Sequence, residues 1–299
     1  MSLLLAFDDE LPMAQAIASA LGWPVAPIDR HRFPDGESRL RLPPQLPPRV
    51  VVMRGLQQPN DRLAELMLAA AGARELGAVH LTLVSPYLGY MRQDAAFTPG
   101  EVVSQRHLGR ALASWFDAVL TVDPHLHRVT SMDVVLPGCQ GVAVSAAPLL
   151  GQWIAQHVPG ALLLGPDAES AQWVGAAAAA AGLPHAVCDK VRHGDRDVQV
   201  ATPQVDVAGR AVVLVDDVAS TGRTLSAAAR GALQRGAATV DVAVTHALFV
   251  DDALGHLLRD GVRHVWSTDC VPHPSNVVEV APVLVSALRE MEPGSVRPH

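Results

Sequence analysis

The sequence contains few cysteines, no membrane-length hydrophobic run and no excess of positive charge. Its three cysteines, Cys139, Cys188 and Cys270, lie far apart and form no CxxC pair, which argues against a disulfide scaffold and a zinc ribbon. No apolar stretch reaches the roughly 20 residues that cross a bilayer. A formal net charge of -7 argues against general affinity for nucleic acid or anionic membranes. We therefore expect a cytoplasmic protein that binds neither.

Short β-branched runs alternate with Ala/Leu-rich stretches of helical periodicity through most of the 299 residues. This alternation predicts parallel sheets with helices on both faces. The pattern runs twice, with a boundary near residues 138–145, which indicates two α/β domains of similar size. Residues 33–42 and 195–204 have instead the character of hairpins or mobile loops.

The sharpest local signal is a buried apolar strand at 211–215, followed by two carboxylates, a turn of small residues and an Ala-rich helix. Ligands of open α/β sheets bind beyond the carboxyl ends of strands, and the free amides of a helix N-terminus attract anions. Hydroxyls and a glycine at 220–224 are suited to close around a phosphate. Asp216 and Asp217 are suited to accept hydrogen bonds from two vicinal ribose hydroxyls. Helix-capping residues after a strand are the simpler alternative for this string.

Two other predicted strands also end in groups that could hold a cation. If the segment after the strand at 119–122 is extended, Asp123, His125 and His127 fall on one face at a period of two. Asp167 repeats the arrangement of a strand that ends in a carboxylate. Buried structural histidines and a helix cap are the alternatives for these residues.

Two loops and one strand carry groups suited to a nucleotide. The first loop offers an aromatic face for stacking and hydrogen-bond acceptors, and the second loop offers a guanidinium group. The strand offers two basic side chains placed to neutralise charge on a transferring phosphoryl group. In that order the residues are Phe33, Asp35 and Glu37; Arg92; and Lys190 and Arg192. Each set taken alone is also consistent with ordinary surface charge.

Taken in chain order, these elements resemble the ribose-phosphate diphosphokinase (phosphoribosyl pyrophosphate synthetase) family, nearer its archaeal-type sequences. The resemblance covers nearly the whole chain and is carried by residues 33–37, 85–94, 97–101, 123–125, 165–167, 189–192, 216–224, 268–269 and 273–276. It implies an α/β fold of two phosphoribosyltransferase-like domains, each a mainly parallel sheet flanked by helices. We place the domains at 1–143 and 144–299, with the last helix a candidate to pack back on the N-terminal domain.

The resemblance also implies an activity: Mg²⁺-dependent transfer of the diphosphoryl group of ATP to the 1-hydroxyl of ribose 5-phosphate. The products would be phosphoribosyl pyrophosphate and AMP, and the enzyme would be a homo-oligomer with its ATP site near a subunit interface. The implied ATP-binding residues are Phe33, Asp35, Gly36, Glu37, Arg92, Gln93 and Asp94. The implied ribose 5-phosphate residues are Arg192, Asp216, Asp217, Ser220, Thr221, Gly222, Arg223 and Thr224. Implied catalytic residues are Lys190, Arg192 and His125, and implied magnesium ligands are His125 and Asp167.

Three alternatives stay open at the level of sequence. A phosphoribosyltransferase would consume the activated sugar, but a single such domain would not explain residues 33–37 or 92–94. A regulatory paralogue would keep the fold without catalysis, although it would have no need for intact catalytic and metal residues. Another phosphorylated pentose could be the acceptor. The chain also departs from the family pattern at Arg223, where Gly or Ala is usual, and at Ala95 and Ala96, where many relatives are basic.

Overall fold

The computed structural model describes residues 2–126, 128–129, 131–193, 197–201 and 205–291, with only the backbone described at 189–193 and 197–201. The chain forms two compact units. One unit takes the chain up to Val144 together with the helix that begins at Ala281, and the other is Ser145–Val280. Among the described residues, no helix has the length and apolar character needed to span a bilayer.

The strands carry the sheets of both units and are numbered in chain order. They are β1 (Leu3–Ala6), β2 (Val25–Pro27), β3 (Asp29–Arg32), β4 (Ser38–Arg41), β5 (Arg49–Met53), β6 (His80–Ser85), β7 (Ala118–Val122), β8 (Gln140–Val144), β9 (Leu162–Gly165), β10 (His185–Val187), β11 (Asp189–His193), β12 (Asp197–Ala201), β13 (Ala211–Ala219), β14 (Thr239–Ala247), β15 (Val262–Thr268) and β16 (Asn276–Val278).

The helices follow the strands in the predicted alternation. They are α1 (Leu11–Leu21), α2 (Pro59–Glu75), α3 (Ser104–Trp115), α4 (Met132–Val135), α5 (Ala147–His157), α6 (Ala171–Ala181), α7 (Arg223–Gln234), α8 (Ala253–Arg259) and α9 (Ala281–Met291). Short 3₁₀ turns at Asp8–Glu10 and Ala168–Ser170 precede α1 and α6.

The first unit is built on a six-stranded parallel sheet in the order β2-β1-β5-β6-β7-β8. Its main core joins Leu5, Val52 and Leu83 of the sheet to Leu66 of α2 and Leu112 of α3. Helix α9 packs against α1, β7 and β8, so the last helix belongs to this unit. Strands β3 and β4 form a separate antiparallel hairpin, as predicted for this region.

The second unit repeats the plan with a sheet in the order β10-β9-β13-β14-β15-β16. Alternate residues of β13 point to opposite faces because successive side chains of a strand do so. Val212 and Leu214 join the core that contains α7, whereas Val213 and Val215 join the core that contains α5 and α6. Burial on both faces explains the uninterrupted apolar run in the sequence. The predicted α/β fold class, with mainly parallel sheets flanked by helices, is confirmed.

Each sheet has one switch point, where two adjacent parallel strands send their chains to opposite faces. In the first unit β1 leads into α1, which packs with α9, while β5 leads into α2 on the other face. In the second unit β9 leads into α6 and β13 leads into α7, and these helices lie in different cores. A crevice opens beyond the carboxyl ends of such strands, and ligands of open α/β sheets bind there.

Candidate functional site

The switch point of the second unit holds the acidic pair predicted for ribose, but in a different backbone context. The sequence predicted an apolar strand at 211–215 with both acids directly after it and the turn of small residues following them. Strand β13 instead continues to Ala219, and its ladder with β14 includes the pairs Asp216↔Val244 and Val218↔His246. The predicted strand end at residue 215 is wrong. The strand continues as long as its backbone forms hydrogen bonds with β14, whatever the polarity of its side chains.

Burial and mutual repulsion govern the electrostatics of this acidic pair. Asp217 is buried, and a hydrogen bond joins its carboxyl group to that of Asp216. Desolvation, followed by the negative charges of Asp217 and Asp167, holds the pKa of Asp216 well above its usual value. The Asp217 backbone N–H donates to Asp216 Oδ1 at 3.0 Å and opposes this shift. Two neighbouring carboxylates therefore act on Asp216 at the ends of β9 and β13, where a ligand with hydroxyls or a cation would relieve the repulsion.

The turn from β13 to α7 has the backbone geometry expected of an anion site. Gly222 precedes α7 in the left-handed region at φ +70°, where a side chain would be strained although its Cβ would have room. The first-turn amides of a helix have no partner inside the helix and carry its positive dipole end. Ser220 and Thr224 are half-buried, and Thr221 and Arg223 are exposed. Both the amides and the hydroxyls of residues 220–224 are therefore available at one place.

A loop with unusual backbone conformations follows β14 and is hydrogen-bonded to the start of this turn. The backbone N–H groups of Leu248 and Phe249 donate to Ala219 O at 2.9 Å each, and that of Val250 donates to Ser220 O at 3.1 Å. Phe249 and Asp251 have φ of 23° and 52°, which non-glycine residues rarely adopt. Strain of this kind persists where the surrounding structure imposes it, commonly at functional sites.

Asp167 follows β9 and begins the 3₁₀ turn before α6. Its Oδ1 accepts from the Glu169 N–H at 3.0 Å, and Ser170 Oγ donates to the Asp167 backbone oxygen. The capping role that the sequence left open is therefore present. The described residues include no group of three or more His, Cys, Asp or Glu side chains arranged to hold a metal. The assignment of Asp167 as a magnesium ligand stays a prediction.

The nucleotide residues predicted on the first loop lie on the turn of the β3–β4 hairpin. The Phe33 N–H donates to Glu37 O at 2.8 Å, and the Glu37 N–H donates to Asp35 Oδ1 at 3.2 Å. Gly36 has φ +98°, which closes the turn. The Phe33 ring is 39% exposed and contacts His31 edge-on at 4.8 Å. The turn thus presents an aromatic face and acceptors to solvent.

The second nucleotide loop follows β6 and presents its residues differently. Arg92 is exposed, while the Gln93 side chain donates to Ala95 O at 3.1 Å. Asp94 is buried, and Arg128 Nη1 donates to its Oδ1 at 2.5 Å. Asp94 therefore contacts protein, whereas Arg92 faces solvent.

The segment after β7 is not the extended strand end that the sequence suggested. Asp123 has φ 36°, which is not an extended conformation, so the expected period of two does not apply to it. Its N–H donates to Val144 O at 2.8 Å, and the chain turns there out of the sheet. His125 is half-buried, and His127 lies outside the described residues. The condition for a one-sided Asp-His-His face, an extended segment, is therefore not met at Asp123.

Lys190 and Arg192 lie on β11, which pairs antiparallel with β12 in register from Asp189↔Ala201 to His193↔Asp197. The hairpin predicted for this region is confirmed in its backbone. The side chains of both residues lie outside the described part of the chain. Their catalytic assignment stays a prediction.

Comparison with known proteins gives one consistent result for both units. The N-terminal domain of ribose phosphate pyrophosphokinase matches residues 2–115, and the phosphoribosyl transferase domain matches residues 146–282. The ribose-phosphate pyrophosphokinase of Methanopyrus kandleri is 35% identical over 97% of this chain and 99% of its own. That of Halobacterium salinarum is 35% identical over 96% of this chain and 100% of its own.

This chain belongs to the ribose-phosphate pyrophosphokinase family. Both of these relatives are archaeal, in agreement with the archaeal-type resemblance seen in the sequence. A crystal structure of phosphoribosylpyrophosphate synthetase from Mycobacterium smegmatis superposes with a TM-score of 0.83 over 97% of this chain and 98% of that one. Its identity to this chain is 24%, so it supports the family's two-domain fold.

Two sets of residues at this family member's strand ends were missed by the sequence analysis. Arg54 follows β5 at the first switch point and has ion pairs with Asp9 and Glu65. Arg128 contacts Asp94. An arginine directly after an apolar strand was a signal for the first set, but its partner Asp9 lies 45 positions away and cannot be read from spacing.

Proposed function

We propose that the chain transfers the diphosphoryl group of ATP to the 1-hydroxyl of ribose 5-phosphate, forming phosphoribosyl pyrophosphate and releasing AMP. The observation that carries the proposal is the second switch point, where a left-handed Gly222 opens helix α7 five residues after the Asp216–Asp217 pair at the end of β13. An anion site beside two hydrogen-bonding carboxyl groups matches a phosphate at one end of a sugar and a diol at the other.

Within this site each group has a separate task. The amides and hydroxyls of Ser220, Thr221, Gly222, Arg223 and Thr224 bind the 5-phosphate. Asp217 accepts from one ribose hydroxyl. Asp216, whose pKa is raised, is able to donate or accept in its protonated form. Fixing both ends of the sugar orients its 1-hydroxyl for attack on the β-phosphorus of ATP, which is the main requirement of phosphoryl transfer.

ATP binding is assigned to the two loops of the first unit. The exposed Phe33 ring gives a stacking face for adenine, and Asp35 and Glu37 give acceptors beside it around Gly36. Arg92 and Gln93 bind phosphate or ribose oxygens, while Asp94 belongs to the same loop. Lys190, Arg192 and His125 are assigned to the stabilisation of charge on the transferring group, with Arg192 also facing the sugar phosphate.

Mg²⁺ fits the chemistry of this chain's residues. Asp167 raises the pKa of Asp216 through its charge, so a divalent cation beside Asp167 would relieve repulsion that the protein leaves in place. His125 and Asp167 are the proposed protein ligands, and Mg²⁺ commonly takes only one or two carboxylates, completing its shell with water and phosphate oxygens. When bound, the ion would neutralise charge on the ATP phosphates.

Assembly and location are further parts of the proposal. We expect a homo-oligomer with the ATP site near a subunit interface, because the Phe33 turn is exposed at the tip of a separate hairpin. The three cysteines are free and buried, in keeping with a reducing cytoplasm.

The test is the identity of the nucleotide product. Purified protein with Mg²⁺, ATP and ribose 5-phosphate should release AMP in amounts equal to the phosphoribosyl pyrophosphate formed. ADP as the product would contradict the diphosphoryl transfer. Lys190→Ala should lower kcat about a hundredfold, as for loss of one preorganised charge. Near-normal turnover of that variant would contradict the role of Lys190 alone.

A further inference from the structure

One arginine connects two loops of the first unit. The proposed function assigns one of these loops to ATP binding and the other to the stabilisation of the transferring group. Arg128 lies in the segment after β7 that also carries Asp123 and His125. Its Nη1 donates to Asp94 Oδ1 at 2.5 Å, and its guanidinium lies 5.5 Å from the centre of the Phe97 ring. Both Asp94 and Phe97 belong to the nucleotide loop. A single side chain therefore contacts that loop at a buried acid and at an exposed ring.

The ion pair with Asp94 differs from an ordinary surface pair. The Asp94 side chain is 2% exposed, whereas that of Arg128 is 51% exposed. Within the described residues Asp94 Oδ2 has no hydrogen-bond partner, so Arg128 is the ionic partner of a nearly buried carboxylate. Removing one member of such a pair leaves a desolvated charge uncompensated, and the backbone around it has to rearrange.

The rest of the nucleotide loop is fixed to itself and to α3. Gln105, which is buried, donates from its side chain to Met91 O at 3.1 Å and from its backbone to Gln93 O at 3.2 Å. Glu101 Oε2 accepts from the backbone N–H groups of Phe97 and Thr98. The loop is thus folded as one piece, and a displacement of Asp94 would move Arg92 and Gln93 with it.

We propose that Arg128 is a positioning residue for ATP: by its ion pair with Asp94 and its contact with the Phe97 ring, it fixes Arg92 and Gln93 relative to the segment of Asp123 and His125. The inference rests on the proposed function and deepens it. Arg128 acts through Asp94, whose buried side chain would stabilise the conformation of the loop without contacting ATP. The ribose 5-phosphate turn belongs to the other unit.

The test compares Arg128→Ala with a matched arginine elsewhere. Arg230 is 52% exposed and has a 2.6 Å ion pair with Asp260, so Arg230→Ala removes a similarly exposed, ion-paired arginine from the other unit. Arg128→Ala should raise the KM for ATP, and the Kd of Mg-ATP by calorimetry, about tenfold. Its KM for ribose 5-phosphate should stay within about twofold. Arg230→Ala should leave all three constants within about twofold.

Two further variants separate positioning from a direct contact with ATP. Arg128→Lys keeps a charge for Asp94 and should recover part of the lost affinity. In an Asp94→Asn background, Arg128→Ala should weaken Mg-ATP binding much less than in the wild type, because the partner is already altered. An equal loss in both backgrounds, or an unchanged Kd for Arg128→Ala, would overturn the inference. A wild type that binds Mg-ATP but releases no AMP would instead refute the proposed function.

Discussion

The two switch points of the molecule share a topology and differ in how their charges are balanced. At the first, β1 and β5 end in a mixture of acids and arginines. At the second, β9 and β13 end in acids whose repulsion is expressed in the raised pKa of Asp216. Because both crevices lie beyond the carboxyl ends of parallel strands, topology alone would predict a ligand at each.

The first switch point is neutralised from within. Arg54, which is 1% exposed, donates to Asp9 at 2.6 Å and to Glu65 at 2.5 Å. Arg62 contacts Asp9 at 2.7 Å and Glu10 at 3.1 Å. The guanidinium of Arg54 also lies 4.1 Å from the Phe7 ring centre. These ion pairs balance most of the charge at this switch point, although within the described residues the buried Arg54 Nε has no hydrogen-bond partner.

The helices that follow the two switch points, α2 and α7, also begin differently. Helix α2 begins after Gln58 at φ 51°, where a side chain occupies the left-handed position. Helix α7 begins after Gly222 at φ +70°, where no side chain stands between an anion and the backbone amides. Charge balance and the residue at the helix start, rather than the topology of the sheet, therefore distinguish the two switch points. On the proposed function, the bound sugar would relieve the repulsion among the acids of the second unit.

The largest expected effect comes from breaking the neutral network. Arg54→Met should lower the free energy of unfolding by about 3–5 kcal/mol, because Asp9 and Glu65 would keep their charges without the buried partner. Urea denaturation measures this change. Arg230→Ala, which removes an exposed ion pair, should change the free energy of unfolding by less than about 1 kcal/mol. Equal effects of the two substitutions would remove the distinction drawn for the first switch point.

The next effect concerns the acidic pair. Asp216→Ala should raise the KM for ribose 5-phosphate about thirtyfold, equivalent to about 2 kcal/mol, because a ribose hydroxyl would lose its hydrogen-bond partner in the site. The KM for ATP should change little, and steady-state kinetics with each substrate varied in turn measures both constants. An effect confined to ATP would place the sugar elsewhere.

A smaller effect is expected at the helix start. Gly222→Ala should lower the free energy of unfolding by about 1–2 kcal/mol through left-handed strain and should also raise the KM for ribose 5-phosphate. Gly182→Ala is the control, since Gly182 ends α6 at φ +65° and a Cβ added there would meet no atom within 4 Å. It should lower stability to a similar extent and leave the KM unchanged. A raised KM in both variants would mean that the effect is general.

The smallest expected effect has the opposite sign. The raised pKa of Asp216 means that ionisation opposes folding: this penalty is absent below the usual aspartate pKa and grows as pH rises toward the folded-state value. Asp216→Asn should therefore increase the free energy of unfolding at neutral pH by about 1 kcal/mol, a gain typical of altered functional sites. The gain should vanish on acidification, as measured by thermal unfolding across pH. A gain that is constant with pH would point to another cause.

The sequence was a good guide where local pattern determines structure. Alternating apolar runs predicted the parallel sheets, and residues 33–42 and 195–204, predicted to be hairpins or mobile loops, overlap the hairpins β3–β4 and β11–β12. It was a poor guide where backbone conformation depends on pairing with segments that are distant in the sequence. Strand β13 extends through Asp217 because β14 pairs with it, and Asp123 leaves the sheet at φ 36°. The partners of Arg54 and Arg128 are brought together only by the fold.

The most direct test of the central claim is a crystal structure with ribose 5-phosphate bound. The account predicts the phosphate against the amides and hydroxyls of residues 220–224, with the ribose hydroxyls on Asp216 and Asp217. A pentose phosphate bound instead among the arginines beyond β1 and β5, with the turn before α7 empty, would contradict it.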